Sequence, residues 1–489
     1  MKYASEKLLF RRQYVIGAYP VTKLRGWKCI KLNNQLFITA HPDLETEQST
    51  GDGIQLTLLG YMFDPDHPRH SNQEIIREMK KSVRSFEDVV METDRMGGRY
   101  VLIYNDGDHV KMLHDPCGLR QIFFTTTEDS FWCGSQPAIL QYVLGKELEI
   151  DPFAQRFANS AEYDKRERAW PGDGTIYKNV KHLLPNRYLD VNTRSIVRYW
   201  PNEKLERIEL AQAVRVASRT LIDVIKAASY RYSLMLPVSA GWDSRMLLAA
   251  SKEIRHQIFY YICRNSKMTA ESMDIKVPQK LLERLGLDFH VIESVEDMEE
   301  EFAQIYEKNV TMARYLPKTL SIYQHFKLSQ GKLNVCGNGS EIARKSTYTH
   351  YHRKNVTPEF LAKIYHYKGD PYVIDQVSKW LDEAYAVAMK CDLDIYDLYY
   401  WEQRMGNWGA MLPAEQDIAI EEFWPFNNRR LLRTLLSVEK EYRKPPNYLV
   451  FKALTKEMWE ETLHEPINPM NLQEVIKKKL FYVYQSYLP

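Results

Sequence analysis

The strongest constraint on the fold is a short loop, Ser239-Ala240-Gly241-Trp242-Asp243-Ser244, that joins an apolar segment at 233–238 to a helical segment. In a strand, loop and helix of this kind, successive backbone N–H groups and the positive end of the helix point toward one anion. Ser239 and Ser244 add hydroxyl donors for phosphate oxygens. Asp243 has the wrong charge for bare phosphate, so it indicates a magnesium ion between the two. The alternative is a helix start that serine or aspartate merely caps.

The pattern of the chain changes near Trp200-Pro201. Before this point, short segments rich in β-branched and aromatic residues alternate with turn signals, which predicts stacked antiparallel sheets with helices. After it, a helix at 208–230, the strand at 233–238 and a strand at 258–263 predict a parallel α/β sheet. From about residue 358 the pattern is mostly helical. The predicted fold class is therefore α/β, with stacked sheets first, a parallel sheet second and a helical last part.

The loop at 239–244 resembles the signature of the PP-loop ATP pyrophosphatases, Ser-Gly-Gly-x-Asp-Ser, with Ala240 in place of the first glycine. Farther along, Asp274, Leu285-Gly286 and His290 resemble the pattern that follows this loop in asparagine synthetases. The resemblance implies that the loop holds the β and γ phosphates of ATP and that the end of the next strand holds the adenine. The implied ATP-binding residues are Pro237, Val238, Ser239, Ala240, Gly241, Asp243, Ser244, Ile262, Cys263 and Gly337.

A second glycine loop, Gly337-Asn338-Gly339-Ser340-Glu341, also resembles the asparagine synthetase pattern. The resemblance implies that Glu341, where the family usually has aspartate, binds magnesium together with Asp243. It also places Asn338 beside the reacting acyl group, where asparagine synthetases have glutamate and β-lactam synthetases have tyrosine. Because an asparagine cannot take a proton from an amine at neutral pH, another residue must serve as the base, or the amine must arrive neutral.

Glu402 is the candidate base, because the segment at 400–404 resembles a helix that carries a matching glutamate in the family. The alternative is a buried glutamate that pairs with Arg404 or with another arginine. The family also places a lysine near the C-terminus against the α-phosphate. That lysine stays unassigned, with Lys477, Lys478 and Lys479 as unranked candidates.

Three segments before residue 200 resemble the glutaminase domain of asparagine synthetases, namely 97–100, 115–120 and 131–136. That domain needs a cysteine directly after the initiator methionine, and this chain has Lys2 there. The resemblance therefore implies a degenerate glutaminase-like, Ntn-type domain at 1–200, without glutaminase chemistry, and a PP-loop domain at 201–489. β-Lactam synthetases and lasso-peptide cyclases show a similar loss and join an amine to an adenylated carboxylate, which favours an amine as the acceptor.

Together these features predict an ATP-dependent carboxylate-amine ligase that forms an amide through an acyl-adenylate and releases AMP and pyrophosphate. ATP and Mg²⁺ are the expected cofactors, and a small-molecule carboxylate and an amine or ammonia are the expected partners. One alternative is ammonia-dependent amidation of a small acid or uronate. Two others are a different PP-loop reaction, such as nucleotide thiolation, and an inactive relative that acts as a binding or scaffold protein.

Composition gives no sign of a nucleic-acid or membrane partner. The chain has 66 basic and 64 acidic residues, and it contains no run of about 18 apolar residues. Its charged N-terminal segment predicts a cytoplasmic protein. The six cysteines include no C-x-x-C pair and the chain has no His-rich tract, which predicts neither a zinc site nor a disulfide framework. Whether the chain forms a homodimer stays open.

Overall fold

The structure is a computed structural model, and it describes residues 6–127, 130–265, 268–314, 318–329, 331–344, 356–365, 367 and 369–469. Two antiparallel six-stranded sheets come from the first 200 residues. The first sheet has the order β10-β8-β9-β1-β3-β2 and the second the order β12-β11-β7-β6-β5-β4. The strands are β1 Tyr14–Gly17, β2 Lys28–Lys31, β3 Phe37–Ala40, β4 Thr46–Gly51, β5 Ile54–Phe63, β6 Gly97–Asn105, β7 Val110–His114, β8 Phe123–Thr125, β9 Cys133–Gly134, β10 Val180–His182, β11 Arg187–Asp190 and β12 Ser195–Arg198.

The two antiparallel sheets stack through central strands such as β6, which is buried on both faces. Along β6, Val101 and Ile103 belong to a core that also contains Ile16 and Ile38 of the first sheet. The intervening Leu102 lies in a second core beneath two helices. Since side chains alternate across a strand, one apolar strand fills both cores.

Helices cover the outer faces of both sheets. α1 (Asn72–Ser82) and α2 (Phe86–Thr93) pack on the second sheet, and each begins with a capping box, at Ser71 and Ser85. α3 (Pro137–Leu144) packs on the first sheet. Two short helices, α4 (Pro152–Ala158) and α5 (Ala161–Lys165), follow. The first part is thus a four-layer arrangement of helices, sheet, sheet and helix.

A five-stranded parallel sheet forms the centre of the second part, with the order β15-β14-β13-β16-β17. Its strands are β13 Ser233–Pro237, β14 Phe259–Cys263, β15 His290–Ile292, β16 Lys332–Val335 and β17 Glu421–Phe423. Helices cover this sheet, as parallel strands require. Among them, the long amphipathic α6 (Leu210–Ser229) packs through Ala217, Leu221 and Val224 into the largest apolar core.

The last part of the described chain is mainly helical. The helices after α6 are α7 Trp242–Ala250, α8 Met273–Arg284, α9 Glu300–Asn309, α10 Lys318–Leu328, α11 Pro358–Ile364, α12 Pro371–Lys390, α13 Ile395–Tyr399, α14 Ala410–Gln416, α15 Arg429–Leu436, α16 Lys440–Arg443 and α17 Leu449–Trp459. A π-helical segment, Tyr400–Gly409, joins α13 to α14. Short 3₁₀ helices lie at Lys252–Gln257, Ser340–Ile342 and Glu460–Leu463.

The fold class predicted from the sequence is confirmed, with stacked antiparallel sheets, a parallel α/β sheet and a helical last part. The division into domains at 1–200 and 201–489 stays a prediction, because the largest apolar core contains residues from both sides of that boundary, such as Phe63 and Phe423. Within the described residues, none of the helices combines the length and the apolar character that crossing a membrane requires.

Candidate functional site

The order of the parallel sheet creates a topological switch point, here called the crevice, beside the carboxyl ends of β13 and β16. The chain moves outward from β13 through β14 to β15, and it then returns to the other side of β13 to form β16 and β17. The connections that follow β13 and β16 therefore run toward opposite edges of the sheet. In open α/β sheets, ligands bind at such a switch point. Both glycine-containing loops of the sequence, at 239–241 and 337–339, follow these two strands.

The loop after β13 is held by its own serine side chains. The backbone N–H of Ser239 donates to the Ser244 hydroxyl oxygen at 3.1 Å, and that of Gly241 donates to the Ser239 hydroxyl oxygen at 3.2 Å. Helix α7 begins at Trp242, and no side chain of the described residues caps it. The loop is thus a preformed turn whose helix end keeps first-turn N–H groups available to an anion.

Ala240 has a structural role that the sequence does not reveal. Its N–H donates to Asp274 Oδ1 at 3.0 Å, and its carbonyl accepts the Asn468 N–H at 2.8 Å. Pro237 and Val238, which the resemblance also implies to bind ATP, precede the loop. The N–H of Val238 donates to the carbonyl of Tyr261 at 2.8 Å, which extends the sheet. The loop is therefore braced by α8, by β14 and by the segment before residue 470.

The second glycine loop touches the first at Asp243. A Cβ atom on Gly337 would lie 2.7 Å from Asp243 Cβ and 2.9 Å from its carbonyl carbon, so only glycine fits there. Gly339 has a φ of +93°, which favours glycine for conformational reasons. The Ser340 hydroxyl then donates to Asp243 Oδ1. The two loops are in contact across the crevice.

Asp243 and Glu341, the two implied magnesium ligands, lie on either side of one guanidinium. Arg344 Nη1 is 2.9 Å from Asp243 Oδ1, and Arg344 Nη2 is 3.9 Å from Glu341 Oε1. The Gly339 N–H donates to Glu341 Oε2 at 2.9 Å. Burial, together with the nearby Asp243 carboxylate, raises the pKa of Glu341 to about 7. The pair is thus a place where two acidic groups need a cation.

Arg344 was not anticipated from the sequence. Its position three residues after Glu341 becomes informative only once the 3₁₀ turn at Ser340–Ile342 is known, because side chains three apart in such a turn lie on one side.

The other implied ligand positions lie at the same edge. Ile262 and Cys263 end β14, beside β13; Ile262 is buried, and Cys263 Sγ lies 3.9 Å from His325 Nε2. Burial raises the pKa of the Cys263 thiol to about 12, so this thiol is neutral near pH 7. Asn338 is half-buried between the two glycines of the second loop.

Glu402 is fully buried in the π-helical segment, and hydrogen-bond donors surround its carboxylate. Its carboxylate accepts from Arg187 Nη1 at 3.0 Å, Arg198 Nη2 at 2.9 Å, Trp380 Nε1 at 2.7 Å and Asn186 Nδ2 at 3.1 Å. Burial alone would raise the pKa of Glu402, but the two arginines outweigh it and lower the pKa to about 2.

These contacts are those of the buried, ion-paired glutamate that the sequence left as the alternative, with Arg187 and Arg198 in place of Arg404. Arg404 instead lies over the Trp408 ring, 3.8 Å from its centroid. A carboxylate with so low a pKa is a poor proton acceptor near neutral pH. The role of Glu402 as a base therefore has no support from its surroundings. Lys2, Lys477, Lys478 and Lys479 lie outside the described residues.

No protein-family model matches the chain, and no curated protein matches it. The solved structures that are similar to part of it include the following two. One is the glutamine phosphoribosylpyrophosphate amidotransferase from B. subtilis complexed with ADP and GMP, with 12% identity over 70% of this chain and 73% of that one and a TM-score of 0.24. The other is described as the allosteric regulatory enzyme of purine biosynthesis, with 11% identity over 63% of this chain and 76% of that one and a TM-score of 0.26. Likeness at this level carries no conclusion about function.

Proposed function

We propose that the chain is an ATP-dependent ligase that activates a carboxylate as an acyl-adenylate and transfers the acyl group to a nitrogen nucleophile. The observation that supports this proposal most is the meeting of the two glycine loops at the switch point of the parallel sheet. Gly337 is in contact with Asp243 there, and the serine-braced turn at 239–244 lies beside it. The backbone N–H groups and hydroxyls of the crevice suit the phosphates of a nucleoside triphosphate. The paired carboxylates suit the divalent cation that accompanies it.

The proposed reaction has two steps, adenylation of the acid and transfer of the acyl group. A carboxylate oxygen of the acid attacks the α-phosphorus of ATP, and the bond from that phosphorus to the β-bridging oxygen breaks, so pyrophosphate leaves. The nitrogen of the amine then attacks the acyl carbon, the carbon–oxygen bond to AMP breaks, and the nitrogen loses a proton. The loop at 239–244 would bind the β and γ phosphates, which leaves the α-phosphorus open to attack.

Asp243 and Glu341 are the proposed ligands of Mg²⁺. The donor set fits, because carboxylate oxygens are the protein ligands that this ion prefers and because these two groups already require a cation, which Arg344 supplies. Bound there, Mg²⁺ would neutralise phosphate charge. On this proposal Arg344 must release the carboxylates when the metal and the nucleotide bind.

The nitrogen donor is proposed to be an amine, with free ammonia as the alternative. The resemblance to glutaminase domains, which need a cysteine directly after the initiator methionine, favours this proposal, because Lys2 stands at that position. The acid is proposed to be a small molecule, such as an amino acid, a uronate or a biosynthetic intermediate. The purified protein should accordingly release no glutamate from glutamine.

The products of ATP turnover test the proposal directly. The chain would be incubated with Mg·ATP and a panel of small acids, with and without primary amines, and the nucleotide products separated. AMP and pyrophosphate, formed only with particular acids, are the expected products. ADP and phosphate, with an acid that is consumed, would show that the loop has been misinterpreted.

An inactive relative that acts as a binding or scaffold protein is the second candidate function. The observation that favours it is Arg344, which places a permanent cation where the ligase needs a metal. ATP binding distinguishes the two, because a ligase should bind ATP more tightly with Mg²⁺ than without it. Binding that Mg²⁺ leaves unchanged, together with no turnover on any acid, would favour the inactive relative.

A further inference from the structure

A seven-residue loop in the first part of the chain carries three metal-ligating side chains on one side. It reads Asp64-Pro65-Asp66-His67-Pro68-Arg69-His70, between β5 and α1. The N–H of His67 donates to the carbonyl of Asp64 at 3.2 Å, and the N–H of His70 donates to the carbonyl of His67 at 3.0 Å. The loop therefore consists of two successive turns, each with a proline at its second position, where proline is favoured.

Two successive turns of three residues return the side chains to the same side, as in a 3₁₀ helix. Asp64, His67 and His70 are three residues apart, and one ligand atom from each lies within 4.8 Å of the others. His67 Nδ1 is 3.2 Å from Asp64 Oδ2, and the two imidazole rings stack at 4.8 Å with an angle of 6°. The prolines fix this arrangement, so little conformational freedom remains to be lost on binding an ion.

We propose that Asp64, His67 and His70 bind a zinc ion. Two imidazoles and a carboxylate are the ligand types that Zn²⁺ takes in sites with three protein ligands, and the fourth position is open to water. The proposal departs from the sequence prediction of no zinc site, which rested on the absence of a C-x-x-C pair and of a His-rich tract. The proposal is independent of the proposed ligase function.

Asp64 is oriented for this role by the loop. Its Oδ1 accepts the Asp66 N–H at 2.9 Å, and its side chain is almost fully buried, whereas His67 is 58% exposed. Arg95 Nη2 lies 3.5 Å from Asp64 Oδ2 and competes for that oxygen, but a carboxylate has about four lone-pair sites, so one remains for an ion. The exposed His67 and the half-buried His70 need to rotate only slightly to reach the zinc distances of about 2.0 to 2.2 Å.

The site lies where the two parts of the chain meet. Asp66, inside the same loop, forms two hydrogen bonds of 2.9 Å with Arg430 at the start of α15. An ion that fixes the loop would also fix this contact. Zinc should therefore raise the thermal unfolding temperature, because a ligand that binds only the folded state stabilises it.

Zinc binding to the full chain, free of any polyhistidine tag, tests the proposal. Titration with Zn²⁺ against a competing chelator should give one more bound ion per chain in the native protein than in the His67→Ala/His70→Ala variant. Loss of an outer partner of a zinc ligand costs about 10-fold to 100-fold in affinity, so loss of two ligands should weaken binding by about 100-fold or more. The thermal shift with zinc should disappear together with that ion.

His109→Ala is the matched control. His109 is also exposed, at 59%, and lies 3.6 Å from an aspartate three residues earlier, Asp106. No second histidine lies in the turn that contains His109, unlike His67 and His70, so the His109→Ala variant should bind zinc as the native chain does. Circular dichroism should show that the double variant is folded, and His70→Gln alone provides a milder change. Equal zinc stoichiometry and affinity in the native chain and in these His67 and His70 variants would overturn the proposal.

Discussion

At the scale of single residues, Asp243 is the position on which the candidate site depends. Its carboxylate accepts a hydrogen bond from the Ser340 hydroxyl and forms an ion pair with Arg344. Its backbone is in contact with Gly337. The sequence predicted that Asp243 and Glu341 act together, and the structure brings their loops together. It did not predict Arg344, because a single arginine has no recognisable spacing until the turn that carries it is known.

Asp243→Asn should lower pyrophosphate release by about a thousandfold or more, because a neutral amide cannot replace a charged ligand of the metal. Glu341→Gln should weaken the reaction less, since its oxygen lies farther from the shared guanidinium. Neither change removes core volume, so both proteins should fold. Asp288→Asn, at an exposed residue of the same part of the chain, is the control. Near-normal pyrophosphate release by Asp243→Asn would contradict the assignment.

Glu402→Gln should act on stability. The pKa of Glu402 is lowered from 4.5 to about 2, mainly because Arg187 and Arg198 outweigh the effect of burial. A lowered pKa of this size corresponds to roughly 3 kcal/mol of stability at pH 7. The contribution is present above pH 4.5 and is lost as the pH falls through about 2. Urea unfolding should therefore show that the native protein and the Glu402→Gln variant differ more in free energy of unfolding at pH 7 than at pH 3.

The same variant separates the two hypotheses about Glu402. An ion-paired glutamate predicts that the folded Glu402→Gln protein keeps most of its ATP turnover at low temperature. A catalytic base predicts native stability and loss of amide formation, with adenylate formation retained. Partial reactions measured at 10 °C on protein shown to be folded would decide between them.

At the scale of elements, the sequence predicted the long and strongly patterned ones. Three predicted elements are observed within two residues of their expected ends, namely the strands at 233–238 and 258–263 and the helix at 208–230. The strand β17, Glu421–Phe423, was missed. It has only three residues, it lies in a mainly helical region, and it pairs with β16 across about 85 residues of chain, so its strand state depends on tertiary contacts.

Gly337→Ala tests the contact between the two elements of the site. Its Cβ would lie 2.7 Å from Asp243 Cβ, which forces the loop after β16 away from the start of α7. A displacement of about 1 Å at a reacting centre costs about a hundredfold in rate, and that is the loss expected in pyrophosphate release. Overpacking should also lower the free energy of unfolding by about 1 to 3 kcal/mol.

Gly51→Ala is the matched control for this change. A Cβ at Gly51 would be 3.7 Å from the nearest side-chain atom, which is ordinary contact, and the residue lies in β4, away from the crevice. It should keep full activity. Equal activities of the two glycine variants would show that the contact at Gly337 is unimportant.

At the scale of the whole molecule, the segments on which the resemblance depends lie at the junction of the two parts. Asn427 donates to the carbonyl of Gly98 at 2.7 Å and to Asp115 Oδ1 at 2.8 Å, and it accepts the Cys117 N–H at 2.8 Å. The sequence could identify these segments but could not show that they touch, because their separation along the chain exceeds 300 residues. The first part thus provides a surface against which the second part packs.

Buried charges are paired across this junction. Arg99, on β6, donates to Asp417 at 2.6 and 2.7 Å and to Glu421 at 2.8 Å. Arg120 adds a contact of 2.8 Å with Glu421. All four side chains are mostly or fully buried, so each charge depends on its partners for compensation.

Arg99→Met should therefore lower the free energy of unfolding of the full chain by about 3 to 5 kcal/mol, because it leaves Asp417 and Glu421 buried with one fewer cation. Since this pair joins the two parts, we expect calorimetry to show one cooperative transition that moves as a whole to lower temperature. Arg430→Met is the control, because Arg430 also bridges the two parts, to Asp66 at 2.9 Å, but at a partly exposed site where an ion pair is worth about 0 to 1 kcal/mol. Two separate transitions, of which Arg99→Met moves only one, would instead show that residues 1–200 and 201–489 unfold as independent domains.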